Sequence, residues 1–190
     1  MLRKIAQIGH PQLREAARPV PREDIGKPWV ESLVCDLVET MRDAHGAGLA
    51  APQILEPWQV CVMEIGDNPR YPYKPKVPLT VLINPVITPL GDESFENYEG
   101  CLSVPNLRGI VRRHARIRLQ ALDARGAVID REFAGITAGT VQHEVDHLFG
   151  QLFVDRVEDT TTLTTWDQFS RYREADFRRH VEAVVAQYGS

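Results

Sequence analysis

The sequence predicts an α+β fold, with largely antiparallel sheets packed around a central helix and a further helix toward each end of the chain. Three observations predict it. Helical periodicity marks residues 28–45, the stretch entered through Gly135–Gly139, and about 161–188. Between the first two lie five strand-like apolar runs. Most connections between those runs are too short for a helical crossover, so neighbours must pair antiparallel. At 190 residues the chain is long enough to bury one real core, and 1–190 reads as a single domain.

Residues 9–28 hold Pro11, Pro19, Pro21 and Pro28 and read as an irregular arm. Pro28 suits the first turn of a helix. Val30, Leu33, Val34, Leu37, Val38 and Met41 then repeat at i, i+3, i+4, i+7, which gives an amphipathic helix over 28–45. Cys35 lies next to that stripe and is expected to be buried, while Gly46 and Gly48 are expected to stop the helix. The strand candidates are Trp58–Ile65 (with Cys61 in the core), Leu79–Asn84, Val86–Leu90, Ala115–Leu122 and Ala127–Phe133. Asp123-Ala124-Arg125-Gly126 between the last two is a hairpin loop. Residues 66–78, rich in proline and tyrosine, read as a surface excursion. Thr137 is the expected N-cap of the central helix and Gly150 its stop, with Val141, Val145, Leu148 and Leu152 as its apolar stripe. The last helix, about 161–188, should turn Phe169, Tyr172, Phe177, Val181, Val184 and Val185 inward.

Bulk properties narrow the function. A net charge of −4 gives no general pull toward nucleic acid or anionic lipid. Three cysteines are too few and odd for a disulfide framework, so a reducing compartment is expected. No run approaches the roughly 20 apolar residues of a membrane span, and the first residues lack the apolar core of a signal peptide. The expectation is a cytoplasmic protein.

The most informative segment is Gln142-His143-Glu144-Val145-Asp146-His147. Histidines four apart share one helix face and can reach one metal ion, with Glu144 beside it as a proton carrier. The central helix is then a metal-binding helix. Two histidines need another protein ligand. Phe153 stands where one peptidase class has its third histidine, and Asp155, Glu158 and Asp167 do not fit the class that uses a later glutamate. Cys101, in Glu99-Gly100-Cys101-Leu102-Ser103, is the better candidate, because a metal-bound cysteine is deprotonated outright and glycine lets the backbone come close.

Gly46-Ala47-Gly48-Leu49-Ala50-Ala51-Pro52-Gln53, Glu99-Gly100-Cys101-Leu102-Ser103 and Gln142–His147 together resemble, in order, the three signature segments of the peptide deformylases. Pro11, Leu13, Arg14, Pro19 and Val20 resemble that family's N-terminal arm, and the similarity spans about 5–157. The resemblance implies removal of the N-formyl group from the formyl-methionine of new polypeptides, with release of formate. It implies one divalent ion per chain, ferrous iron natively with zinc, nickel or cobalt as substitutes, on Cys101, His143 and His147 with water as fourth ligand. It makes Glu144 the general acid/base, Gln53 and the Leu102 backbone N–H the oxyanion donors, and Gly48 a neighbour of the substrate backbone. Arg108 matches an arginine the family carries near the active-site mouth, a substrate-binding position, with a plain surface role as the alternative.

Other residues have less definite readings. Asp146 either orients a ligand histidine or faces solvent, and His10, His45, His114 and His180 lack ligand spacing and should be solvated. Gly139 and Thr140 are small where many members have large apolar residues walling the methionine pocket. The family's last helix can be basic and dock on ribosomes; here Arg171, Arg173, Arg178 and Arg179 face Glu174, Asp176 and Glu182, a net of only +1. Two other functions compete: a zincin-like peptidase or other amide hydrolase, which Phe153 and Cys101 oppose, and a non-catalytic ribosome-associated metal module, which Gln53 and Glu144 oppose.

Overall fold

The computed structural model describes residues 1–66 and 74–189. The chain runs α1 (Pro28–Asp43), β1 (Gly48–Ala50), β2 (Val60–Ile65), β3 (Val77–Pro89), β4 (Ser94–Cys101), β5 (Val104–His114), β6 (Arg116–Leu122), β7 (Val128–Ala134), α2 (Gly135–Leu148), α3 (Trp166–Tyr172) and α4 (Glu174–Tyr188). Five strands form one antiparallel sheet in the order β1-β2-β3-β6-β7, and β4 pairs with β5 in a separate hairpin. This is the expected α+β architecture. The central helix α2 lies between the two sheets, and only His143 and Asp146 on it are less than fully buried. A helix enclosed on every side is a core helix.

The amphipathic elements follow their sequence pattern. On β6, Ile117, Leu119 and Ala121 face the core while Arg116, Arg118 and Gln120 face out. The loop to β7 is held by Asp123, whose carboxylate accepts from the N–H groups of Arg125 and Ala127. On α1, Val30, Leu33, Leu37 and Met41 are buried. Cys35 points the other way and is exposed, because it sits off the stripe that Asp36 and Leu37 continue.

Several boundaries differ from expectation. His45, not a glycine, takes the left-handed conformation that ends α1, with φ 51°. The Gly46 N–H then closes back on the Met41 carbonyl at 2.9 Å. The runs on either side of Pro85 are one strand, β3, with a bulge where Pro85 can donate no ladder bond. Asn84 turns at that bulge with φ 52° and clamps the N-terminal arm through both backbone groups of Val20, each at 2.8 Å. α2 starts at Gly135, so Thr137 lies inside the helix instead of capping it. Gly150 does end it, at φ 71°, where a Cβ would stand 2.6 Å from the Arg14 carbonyl oxygen. The C-terminal helix is two helices broken at Arg173, and Tyr172 faces solvent. The hairpin β4–β5 has no counterpart among the expected strands. Of the expected excursion, residues 67–73 lie outside the described residues, and Val77 onward already belongs to β3. No helix among the described residues is long and apolar enough to cross a membrane.

Candidate metal centre

Helix α2 places His143 and His147 one turn apart, their ring centroids separated by 5.0 Å at 84°. Cys101 arrives from the end of β4. It follows Asn97 and Glu99 on the strand face that turns toward the helix, and the ladder shifts register between Gly100 and Cys101, where Cys101 pairs with Val104. The ligand atoms of Cys101, His143 and His147 lie within 4.8 Å of one another, with Cys101 Sγ 3.3 Å from His147 Nε2. One thiolate and two imidazoles at this separation fit a borderline-soft divalent cation. Burial pushes the Cys101 thiol up, but the neighbouring imidazoles outweigh it and hold the pKa well below the usual thiol range. The Ser103 N–H, 3.3 Å from the sulfur, adds to that effect. His143 is shifted well upward: burial opposes its charge, but contacts with Cys101 and Glu99 prevail.

Glu99 fixes one ligand. Its Oε2 lies 2.8 Å from His143 Nδ1, so with the carboxylate ionised the imidazole donates from Nδ1 and turns Nε2 toward the sulfur. Burial alone would raise the Glu99 pKa; the Arg113 guanidinium, bidentate at 2.8 Å and 2.8 Å, lowers it far below the carboxylate range. Arg113 also donates to Asp146 at 2.6 Å, and Arg156 closes on Asp146 from outside. Asp146 therefore neither touches a ligand histidine nor stands free in solvent. It anchors the arginine that anchors Glu99.

Glu144 faces the cavity beside the ligands. Its pKa is raised by burial, against the downward pull of His143 and His147, and its Oε2 has no hydrogen-bond partner among the described residues. Gly48 makes room for it, since a Cβ there would lie 2.4 Å from the Glu144 carboxyl carbon. Gln53 is held at both ends: Oε1 accepts from the Ala50 N–H at 2.8 Å, and Nε2 donates to Ser103 Oγ at 3.0 Å while lying 3.5 Å from Cys101 Sγ. Gln53, Leu102, Gly48, Cys101, His143 and Glu144 all line one cavity of about 30 Å³, enough for a water or two.

Two residues alter the expected picture. Lys74 lines the same cavity, and its ammonium donates to Thr140 Oγ1 at 3.2 Å. Burial pulls its pKa down to about 8, against the upward pull of Glu99. Only its place in the 66–78 excursion hinted at such a role. Arg108 is not among the lining residues. Its side chain is 1% exposed, enclosed by Trp166, Phe169 and Phe177, so neither a place at the mouth nor a surface role fits it. Glu99 and Arg113 were the functional supports that motif reading passed over. Their signal was present in charged residues at alternating, inward positions of two strands.

The family model for polypeptide deformylase matches residues 2–162. The chain belongs to the polypeptide deformylase family. It is 47% identical over 159 residues to peptide deformylase 1 of Nitrosomonas europaea, covering 84% of this chain and 89% of that relative. It is 47% identical over 161 residues to peptide deformylase 1 of Bordetella pertussis, covering 85% and 90%. The Met-Ala-Ser-bound crystal structure of a class I type b deformylase from Acinetobacter baumannii superposes with TM-score 0.80 at 36% identity, over 83% of this chain and 99% of that one. A deformylase from Legionella pneumophila, at TM-score 0.74 and 32% identity, covers 96% of this chain and 98% of its own. Deformylases are metal-dependent hydrolases that act on N-formyl-methionyl peptides.

Proposed function

We propose that this deformylase holds one divalent cation on Cys101, His143 and His147 and releases formate from the N-formyl-methionine of new polypeptides in the cytoplasm. Ferrous iron is the native ion in this reading, with zinc, nickel or cobalt able to occupy the same donors. The observation that carries it is the convergence of those three ligand atoms beside a cavity lined by Cys101, His143 and the buried Glu144. When bound, the cation supplies Lewis acidity and brings a water's pKa toward neutrality.

The chain's own residues do the rest. Glu144, its pKa raised by burial, takes a proton from the attacking water and returns it to the departing peptide nitrogen. The Gln53 amide, clamped between Ala50 and Ser103, donates to the formyl oxygen as negative charge grows there, and the Leu102 N–H is its second donor. Gly48 lets the substrate backbone run close to Glu144. The tight cavity admits a formyl carbon, which bears only hydrogen, and resists an acetyl group.

The test is anaerobic purification with metal analysis, followed by a formate assay on formyl-Met-Ala-Ser. The expected result is stoichiometric metal, formate release and no internal cleavage. Glu144→Ala should keep the metal and lose roughly 10²–10⁴ of the rate. Internal cleavage, or full activity in Glu144→Ala, would sink this assignment. Ribosome docking through the last helix is a separate proposal, and co-sedimentation that survives deletion of 161–190 would remove it.

A further inference from the structure

The family match ends at residue 162, yet the chain continues through α3 and α4. That extension lies directly on the hairpin that delivers Cys101. Thr164 pairs with Arg108 as a short third strand, Arg108 N–H to Thr164 O at 2.8 Å and Thr164 N–H to Arg108 O at 2.9 Å. The Asn106 side chain accepts from the Trp166 N–H at 3.3 Å. The Arg108 guanidinium carbon sits 3.9 Å from the Phe169 ring centre and 4.5 Å from that of Trp166. Its Nη2 donates to the Tyr98 carbonyl at 2.7 Å, while Nε and Nη1 have no hydrogen-bond partner among the described residues. A buried guanidinium with two such N–H groups relies on the aromatic faces around it.

We propose that the extension, residues 163–189, is a working part of the metal centre, with Arg108 and Trp166 as positioning residues that keep Cys101 aimed at the two imidazoles. The route is short. Arg108 is the cross-strand partner of Gly100. A Cβ on Gly100 would lie 3.3 Å from Trp166 Cζ2 and 3.4 Å from Arg108 Cγ, so both side chains bear on the backbone one residue before the ligand. A lone two-stranded ribbon is marginally stable, and this one also carries a register shift at its functional end. Helix α2 covers one face of the ribbon, and the aromatic clamp covers the other. Tyr98 and Gly100 also line the cavity, so the same clamp sets its wall. The inference rests on Cys101 being a ligand.

The experiment uses the full chain loaded with nickel and follows release of Ni²⁺ to a chelator well below the melting temperature. Two reference proteins come first: wild type should hold one nickel per chain and Cys101→Ala should lose it. Failure there would refute the ligand assignment itself, and the clamp with it. With that established, Trp166→Ala should release nickel about tenfold faster, the scale of a lost outer support. Arg108→Lys should do the same, because an ammonium cannot stack as a guanidinium does. Trp166→Leu, which keeps apolar bulk without the ring, serves if Trp166→Ala does not fold. Val184→Ala, in the same extension but packed against Gly135 at the start of α2, should lower stability and leave nickel release unchanged. Release within twofold of wild type in both the Trp166 and Arg108 variants would overturn the proposal. Equal acceleration by Val184→Ala would overturn it too, since the extension would then act only through global stability.

Discussion

The two hairpins of this enzyme use the same backbone geometry for opposite purposes. In β6–β7 the inward residues are Ile117, Leu119, Ala121 and Phe133, and the outward ones are mostly polar or charged, so the strands pack as a plain amphipathic pair. In β4–β5 the face toward α2 carries Phe95, Asn97, Glu99, Cys101, Val111 and Arg113, while Arg108, paired with Gly100, is buried on the opposite face. The α2 side thus holds the candidate ligand Cys101, the carboxylate that contacts the candidate ligand His143, and the buried Arg113. The first hairpin gains its stability from burial of apolar area. The second must satisfy every buried charge, and it does so through Arg113 between Glu99 and Asp146 and through the aromatic enclosure of Arg108. Burying polar groups this way is costly unless the partners are in place, and here one of those partners, Glu99, also contacts the His143 ring.

Substitutions on the polar hairpin should therefore break chemistry first. Cys101→Ala is expected to have the largest effect: metal retention and deformylation are both lost while the fold persists, as read by metal analysis beside circular dichroism. Full activity in that variant would overturn the ligand assignment. Glu99→Ala should follow. It frees the His143 ring and leaves Arg113 with only Asp146, so metal affinity should fall about 10–100-fold and stability by about 3–5 kcal/mol. Metal titration and denaturant melts check the two numbers separately. A stability loss with unchanged metal affinity would mean that Glu99 serves the arginine and not the histidine.

The same contrast explains what the sequence made legible. β6 and β7 were visible because apolar and polar residues alternate and a turn-forming Asp-Ala-Arg-Gly joins them. β4 and β5 were not, because the alternation is there but its inward members are polar or charged, which period-two hydrophobicity cannot register. The three signature segments picked out Cys101, His143, His147, Gln53 and Glu144, which the fold brings together, since such chemistry depends on a few residue types at short spacing. Arg108 was misplaced for the complementary reason. Its burial depends on Trp166, Phe169 and Phe177, about 60 residues away, and no local pattern carries that contact. The helix break at Arg173 and the burial of Lys74 are tertiary in the same sense.

Substitutions on the plain hairpin should damage the fold and spare the chemistry. Leu119 is fully buried in the main core cluster, and Leu119→Ala should cost about 2–5 kcal/mol in a denaturant melt. The folded fraction should still bind metal and turn over substrate at the wild-type rate per bound ion. A drop in that specific rate would show that the large sheet, too, tunes the centre.

The smallest effect belongs to Asp130, on the outward face of β7. It accepts from Arg118 Nε and Nη2, each at 2.7 Å, a geometry as good as that of Glu99 with Arg113. The difference is solvent. Arg118 is half exposed, its charges are screened, and holding two mobile side chains together offsets most of the attraction. Asp130→Ala should leave melting temperature, metal content and turnover unchanged within error, although Arg118 loses both bonds. A clear loss of stability from this variant, persisting at high salt, would mean that paired geometry alone confers strength on a hairpin. Burial of Glu99 and Arg113 would then no longer explain why β4–β5 is the sensitive one.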